Sequence, residues 1–124
     1  MNVPLGFKDP GTPGAKQLEQ QFIDVLGPNA QALALYLAYQ SYSFLGKILV
    51  ITQIYDKDPH SRHHHGAAFD IRAHNDYYTN AEQLGLIALA NKWFPCGPYS
   101  TLVFHGEGFN YHGHCQTPVF NLAP

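Results

Sequence analysis

Charged residues are scarce in this chain of 124 residues, since only 13% are Asp, Glu, Lys or Arg, against roughly 25% in typical globular chains. Seven Lys and Arg against nine Asp and Glu give a formal net charge of −2. Nucleic-acid-binding surfaces usually carry a basic stripe, so this balance argues against a nucleic-acid partner. Hydrophobic residues make up 45% of the chain and aromatic residues 14%, which excludes a disordered protein.

Cysteines and long apolar runs are also few. Cys96 and Cys115 cannot form a disulfide scaffold and do not make a Cys-x-x-Cys pair. We expect them to be reduced thiols, with one disulfide bond as the alternative. No run approaches the ~20 apolar residues of a membrane span, and the first residues lack the basic and apolar regions of a secretory signal. We therefore expect a protein synthesised as a soluble cytoplasmic product.

The length suits a single domain over residues 1–124. Met1–Gly14 holds three prolines and three glycines and is predicted to be an irregular N-terminal arm. Helical periodicity predicts one helix over Ala15–Leu26, a buried helix from Pro28 to Gly46, and a third capped by Asn80. Strands are predicted at Ile48–Tyr55, Ala67–Ala73, 101–106 and Asn110–Gln116. This order indicates an α+β fold with helices on one side of a small, mainly antiparallel sheet.

Histidine is the residue type in excess, and all eight histidines lie within the segment from His60 to His114. They form two clusters that flank the third predicted helix. His112 and His114 are two residues apart and would project from the same face of a strand. His63 precedes Asp70 by a loop and half a strand. Two imidazoles and one carboxylate, with one position left for water, are typical of a catalytic zinc site.

Each of these features also has a purely structural interpretation. A His-x-His pair on an exposed strand occurs without metal. Asp70 lies between two apolar residues, and a buried carboxylate needs a partner. A metal ion would serve, and Arg72 on the same strand face is the competing partner. The remaining histidines of the two clusters are interpreted as surface or structural residues: His60, His64, His65, His74 and His105.

Five positions within ten residues match a known pattern. Ser61, His63, Gly66, Ala68 and Asp70 reproduce Ser-x-His-x-x-Gly-x-Ala-x-Asp, which resembles the first metal motif of the D-Ala-D-Ala metallopeptidase group. That group also includes lysostaphin-type enzymes, phage L-alanyl-D-glutamate endolysins and the hedgehog signalling domain. The later segment VFHGEGFNYHGHC is similar to the second motif of the group. The resemblance covers about residues 47–116.

The resemblance implies roles for individual residues. It makes His63, Asp70 and His114 the ligands of one zinc ion per chain. His112 would then stabilise the oxyanion or carry a proton. The acid that family members place three residues before the last ligand is Tyr111 here, and Glu107 is the nearest acidic residue, so the general base is either Glu107 or His112.

Substrate contacts are assigned in the same way. Family members often carry a carboxylate-binding arginine after the first predicted strand, where this chain has Gln53 and Lys57. Ser61 would either bind substrate or fix the loop. Gly66 and Ala68 are expected to let the backbone pass close to the ion.

The function implied by the resemblance is a zinc metallopeptidase that hydrolyses a peptide bond in bacterial peptidoglycan stem peptides. The scissile bond would be of the D,D-carboxypeptidase or the L-Ala-D-Glu endopeptidase type. The small size fits a monomeric, phage-derived endolysin that acts on the cell wall. Two alternatives are a non-catalytic, hedgehog-like zinc-binding module and a metal-dependent phosphoesterase, although the low Lys and Arg content argues against the latter.

Overall fold

The computed structural model describes residues 3–119, which form an α+β fold with a five-stranded, mostly antiparallel sheet and three helices. The fold class expected from the sequence is confirmed. The elements are β1 (Leu5–Phe7), α1 (Pro13–Asp24), α2 (Pro28–Leu45), β2 (Leu49–Gln53), β3 (Ala68–Arg72), α3 (Asn80–Trp93), β4 (Leu102–His105) and β5 (His112–Gln116).

The strands lie in the order β1-β2-β3-β5-β4. Strand β1 runs parallel to β2, and every other neighbouring pair is antiparallel. The middle strand, β3, therefore has β2 on one side and β5 on the other. The pairing of β3 with β5 brings together the two histidine-rich segments that α3 and β4 separate in the sequence.

The N-terminal arm differs from its expected irregular form. Residues Leu5–Phe7 are a strand whose Leu5 pairs with Leu49. Directly after it, the amide of Lys8 donates to the carbonyl of Ile51 (2.9 Å). A three-residue strand among prolines and glycines is too short to show side-chain periodicity. It is defined by its backbone hydrogen bonds to the edge of β2.

Two helix starts also lie earlier than predicted, because threonines cap them. Thr12 Oγ1 accepts from the amide of Ala15 (3.3 Å), so α1 begins at Pro13. Thr79, rather than Asn80, caps α3: its hydroxyl accepts from the amide of Glu82 (3.2 Å), and its own amide donates to the Glu82 carboxylate (2.8 Å). This is a capping box.

The core fills the space between the three helices and one face of the sheet. Buried residues of α2 and α3, such as Leu37 and Leu86, pack with Ile51, Phe69 and Ile71 of β2 and β3. The opposite face of β3 and β5 carries their polar side chains. No helix within residues 3–119 has both the length and the apolar character needed to cross a membrane.

Both cysteines are buried and unpaired. The expectation of reduced thiols is therefore confirmed over the alternative of a disulfide bond. Burial raises the pKa of the Cys115 thiol, which keeps it in the protonated, unreactive form.

Candidate metal centre

The register of β3 and β5 places four chemically active side chains on the open face of the sheet. Asp70 pairs with His114, and Arg72 pairs with His112. Because side chains alternate along a strand, these four residues share one face. The residue between the two histidines, Gly113, points to the core face.

Large side chains next to position 113 leave room only for glycine there. A Cβ at this position would lie 2.7 Å from Cγ1 of Ile71 and 2.9 Å from Cε1 of Phe104. Both distances are shorter than real Cβ contacts allow, so the two large side chains occupy the space that any other residue would need. The glycine thus lets β5 pack tightly while the flanking His112 and His114 point to the open face.

The third predicted ligand, His63, lies on the loop between β2 and β3. Ser61 Oγ accepts from the amide of His63 (3.2 Å), so Ser61 fixes this loop. Gly66 has a φ of 69°, and a Cβ there would lie 2.1 Å from the carbonyl oxygen of Val25. Its own carbonyl accepts from the amide of Gly27 (2.8 Å). The close approach that requires Gly66 is therefore to the end of α1, and not to the ion as we expected.

Three potential ligand atoms meet at this point. His63 Nε2 lies 3.2 Å and His114 Nδ1 lies 3.1 Å from Asp70 Oδ1. All three atoms lie within 4.8 Å of one another. A tetrahedral ion with bonds of ~2.0–2.1 Å needs ligand atoms about 3.3–3.4 Å apart. His63, Asp70 and His114 therefore form a group that could hold a metal ion.

Each of the two histidines in this group has its other ring nitrogen bound to a protein acceptor. His63 Nδ1 donates to the carbonyl of Ile54 (2.9 Å), which leaves Nε2 for an ion. His114 Nε2 donates to Gln116 Oε1 (3.2 Å), which leaves Nδ1. The Gln116 amide is itself oriented, since its Nε2 donates to the carbonyl of Ser100 (2.8 Å). Such outer hydrogen bonds are typical of metal-binding histidines.

The electrostatics of the cluster favour an ionised carboxylate. Burial opposes the charge of Asp70, but hydrogen bonds from His114 and His63 outweigh burial and hold the pKa of this carboxyl well below its ordinary value. Burial also lowers the pKa of His63, yet the hydrogen bond to Asp70 and its charge raise this pKa above 6.5 overall. Arg72 makes no ion pair with Asp70 among residues 3–119, so the histidines are the partners of this carboxylate.

His112 stands beside the group without belonging to it. Its Nε2 lies 3.8 Å from Asp70 Oδ2. Its Nδ1 donates to the carbonyl of Asn110 (2.6 Å), so the neutral ring has a free lone pair on Nε2, the nitrogen that faces the cluster. The ring of His105 lies 4.4 Å from the ring of His112. A histidine held in this way can accept and return a proton.

The cluster borders a cleft of about 350 Å³ that Asp70 and His112 line. Gln53 lines it too, and its role as a substrate contact stays a prediction. Between Ile51 and Gln53, β2 has one residue more than β3, which is a β-bulge. Bulges re-aim side chains next to functional sites, and here both Thr52 and Gln53 line the cleft.

Glu107, a predicted site residue, makes no hydrogen bond or ion pair with the cluster among residues 3–119. It is exposed in the turn before β5, where its carbonyl accepts from the amide of Asn110 (2.9 Å). Tyr111, at the position of the usual family acid, donates its hydroxyl to Gln83 Oε1 (2.8 Å). The role of Glu107 as a base stays a prediction.

Sequence reasoning missed Gln116, His105 and Lys8. Gln116 lies two residues after His114 on the same strand face, so its spacing was a usable signal. His105 is adjacent to His112 only through the β4–β5 register, and Lys8 lines the cleft only because β1 pairs with β2. Neither could be found from spacing alone.

The other histidines of the first cluster have structural contacts. His64 Nδ1 donates to the carbonyl of Asp56 (3.1 Å), and His65 Nε2 donates to that of Pro59 (2.9 Å). A larger cavity of about 620 Å³ borders this loop, but His63, Asp70 and His114 do not line it. The candidate metal centre therefore borders the smaller cleft, which Asp70 and His112 line.

No protein-family model, curated protein or solved structure matches this chain at a significant level. The arrangement of the site itself is therefore the basis for a functional proposal.

Proposed function

We propose that this protein is a zinc-dependent peptidase that hydrolyses a peptide bond in peptidoglycan stem peptides. The observation that carries the proposal is the meeting of two imidazole nitrogens and one carboxylate oxygen within 4.8 Å of one another. They lie at the edge of a cleft, with the free nitrogen of His112 beside them.

The choice of zinc follows from the donor set. Three nitrogen and oxygen ligands from the protein, with one coordination position left open, are typical of catalytic zinc sites, whereas magnesium and calcium prefer oxygen ligands. When bound, zinc supplies a Lewis acid that polarises a carbonyl and activates water at neutral pH.

Residues of the chain hold the ion, orient its ligands and transfer the proton. His63, Asp70 and His114 hold the ion, and Ile54 and Gln116 orient the two imidazoles. His112 accepts the proton of the attacking water at Nε2 and returns it to the leaving amine. After protonation its Nε2–H can donate to the developing oxyanion.

The substrate class rests on the resemblance of the Ser61–Asp70 motif to that of the D-Ala-D-Ala metallopeptidase group. The same resemblance supports an enzyme of the phage endolysin type that acts on the cell wall. The D-Ala-D-Ala bond and the L-Ala-D-Glu bond are both candidates for the bond that is cut.

A second candidate function is a zinc-binding interaction module without catalysis. The observation that favours it is the absence, among the contacts of the described residues, of any carboxylate beside the cluster other than Asp70. Tyr111 replaces the usual acid, and its hydroxyl is bound to Gln83.

Digestion of purified peptidoglycan by the zinc-loaded protein, followed by mass spectrometry of the released peptides, tests both candidates. We expect peptide release that a chelator abolishes and added zinc restores. His112→Ala should lower the rate by ~10²–10⁴-fold, the usual contribution of a general acid–base group, with an unchanged zinc content. Glu107→Ala should retain activity, and His60→Ala serves as the matched histidine control.

The outcomes separate the candidates. No peptide release by zinc-loaded wild-type protein would reject the peptidase and favour the interaction module. Loss of activity in Glu107→Ala, with His112→Ala active, would assign the base to Glu107.

A further inference from the structure

Two histidines on neighbouring strands lie beside the candidate metal centre. His105 of β4 is paired directly with His112 of β5. Directly opposed residues of an antiparallel pair point to the same face of the sheet, so both imidazoles lie on the face that carries His114. Their ring centroids are 4.4 Å apart. His105 is exposed, and no side-chain hydrogen bond within residues 3–119 occupies its ring.

The separation of these two rings suits joint coordination of one ion. An imidazole nitrogen binds a transition-metal ion at ~2.0–2.1 Å, which puts the ring centroid about 3.2 Å from the ion. Two rings on one ion then have centroids about 5.2 Å apart at a tetrahedral angle and about 4.5 Å apart at a right angle. The 5.1 Å between the rings of His63 and His114 agrees with the first value. The 4.4 Å between His105 and His112 agrees with the second.

Asp70 separates the two pairs of imidazoles. Its Oδ1 is the oxygen that His63 and His114 contact, whereas its Oδ2 lies 3.8 Å from Nε2 of His112. That nitrogen has a free lone pair, since Nδ1 of His112 donates to the carbonyl of Asn110. The carboxylate thus presents one oxygen to each pair, and its negative charge offsets part of the repulsion between two bound cations.

A third pair of neighbouring imidazoles lies on the loop before β3. The ring centroids of His64 and His65 are 5.1 Å apart. Each ring has one nitrogen bound to a backbone carbonyl. No carboxylate within residues 3–119 forms an ion pair with either ring, so this pair lacks the oxygen donor that Asp70 places near His112. It provides the comparison for the experiment below.

We propose that His105 and His112 form a second, weaker site for a divalent transition-metal ion, and that an ion bound there inhibits the peptidase. This proposal rests on the proposed peptidase function and adds regulation to it. An ion on Nε2 of His112 occupies the lone pair that accepts the proton of the attacking water. Imidazole ligands suit zinc, copper and nickel, whereas magnesium and calcium prefer oxygen. Zinc therefore activates the protein at one equivalent and inhibits it in excess.

Calorimetric titration of the metal-free protein with zinc at pH 7 tests the site without catalysis. We expect two binding steps, the second with an affinity lower by about tenfold or more, because it has fewer protein ligands. His105→Ala should keep the first step and lose the second. His65→Ala, which removes another exposed histidine beside an imidazole ring, is the matched control and should keep both. Melting temperatures verify that each variant is folded.

Peptide release from purified peptidoglycan tests the inhibition. The rate is measured at one equivalent of zinc and at a saturating excess, and the ratio of the two rates within each variant is the readout. In the wild type the excess should lower the rate by about 10²-fold or more, the usual contribution of the general acid–base group that it blocks. The ratio should be close to one in His105→Ala and should match the wild type in His65→Ala.

Failure of this proposal is distinct from failure of the proposed function. A single binding step in the wild type, a second step that persists in His105→Ala, or its loss in His65→Ala would overturn the second site. Equal inhibition of the wild type and His105→Ala by excess zinc would overturn the inhibitory role. If the wild type releases no peptide, the peptidase is rejected, whereas a second step that only His105→Ala removes still supports the metal site.

Discussion

At the scale of single residues, one hydrogen bond decides which nitrogen of each imidazole faces Asp70. His63 has its Nδ1 bound to a backbone carbonyl, and His114 has its Nε2 bound to the side chain of Gln116. A backbone carbonyl cannot be removed by substitution, but the side-chain amide can. Gln116 is therefore the point at which the orientation of a ligand can be tested without changing a ligand.

Gln116→Ala should lower the zinc affinity by about 10–100-fold, the usual effect of removing an outer hydrogen bond of a metal ligand. His114 would lose the acceptor that keeps its Nδ1 directed to the ion. Competition with a chromophoric chelator measures the affinity. Gln20→Ala on the exposed surface of α1 is the matched control, and an unchanged affinity in Gln116→Ala would contradict the role of this amide.

The residues of the candidate centre could be predicted from sequence to different degrees. Strand periodicity places His114 on the same face as His112, whereas the selection of His63, Asp70 and His114 as the ligand set rests on the resemblance of the two motifs to those of a known family. The contact of His112 with the cluster follows from the strand periodicity. The environment of Glu107 does not follow from the sequence, since a turn between two glycines has no periodicity.

At the scale of elements, β5 has two faces with opposite requirements. His112 and His114 need the open face, while Gly113 between them meets the large side chains of Ile71 and Phe104. The packing of the core and the geometry of the candidate centre therefore both depend on β5.

Gly113→Ala should destabilise the protein by ~1–3 kcal/mol, because the added methyl group overpacks the core. Alanine normally suits a strand better than glycine, so the steric effect must outweigh this gain. Chemical denaturation measures the change. The same substitution at Gly85 of α3, where no atom lies within 4 Å of the new Cβ, should stabilise the protein by ~0.5–1 kcal/mol. Equal stability of Gly113→Ala and wild type would contradict the packing argument.

The elements themselves were largely predictable. The helix α2 ends at Leu45, directly before Gly46, the glycine expected to stop it; Gly46 adopts a φ of 67°, a conformation that glycine adopts at little cost. The strand β1 was not predictable, since its three residues are held by backbone bonds to β2. Capping by Thr79 moved the start of α3 by one residue, which lies within the usual uncertainty of helix ends.

At the scale of the whole molecule, the candidate centre joins a loop and two strands that are distant in the sequence. Binding of an ion to the folded state alone stabilises it by about 2.7 kcal/mol when free zinc exceeds its dissociation constant a hundredfold. The protonation of His63 controls this gain, because zinc needs the neutral imidazole.

Zinc should raise the melting temperature more at pH 8 than at pH 6. In the metal-free protein, protonated His63 paired with Asp70 stabilises the fold below pH 6.5, and this contribution is lost as the pH rises through the raised pKa of His63. Zinc must displace that proton, so its stabilising effect grows over the same range. Scanning calorimetry with and without zinc measures both trends. Asp70→Asn should show little zinc effect at either pH, and a larger zinc effect at pH 6 in the wild type would contradict the assignment.

The helices lie on one face of the sheet, and the candidate chemistry lies on the other. The residues that pack the core therefore lie on a different face of the sheet from the residues that would determine selectivity. Exposed side chains at the cleft, such as Lys8 and Gln53, can therefore be exchanged with little disturbance of the packing beneath them. Directed evolution could therefore vary the residues of the open face in search of new specificities while the core residues are kept unchanged.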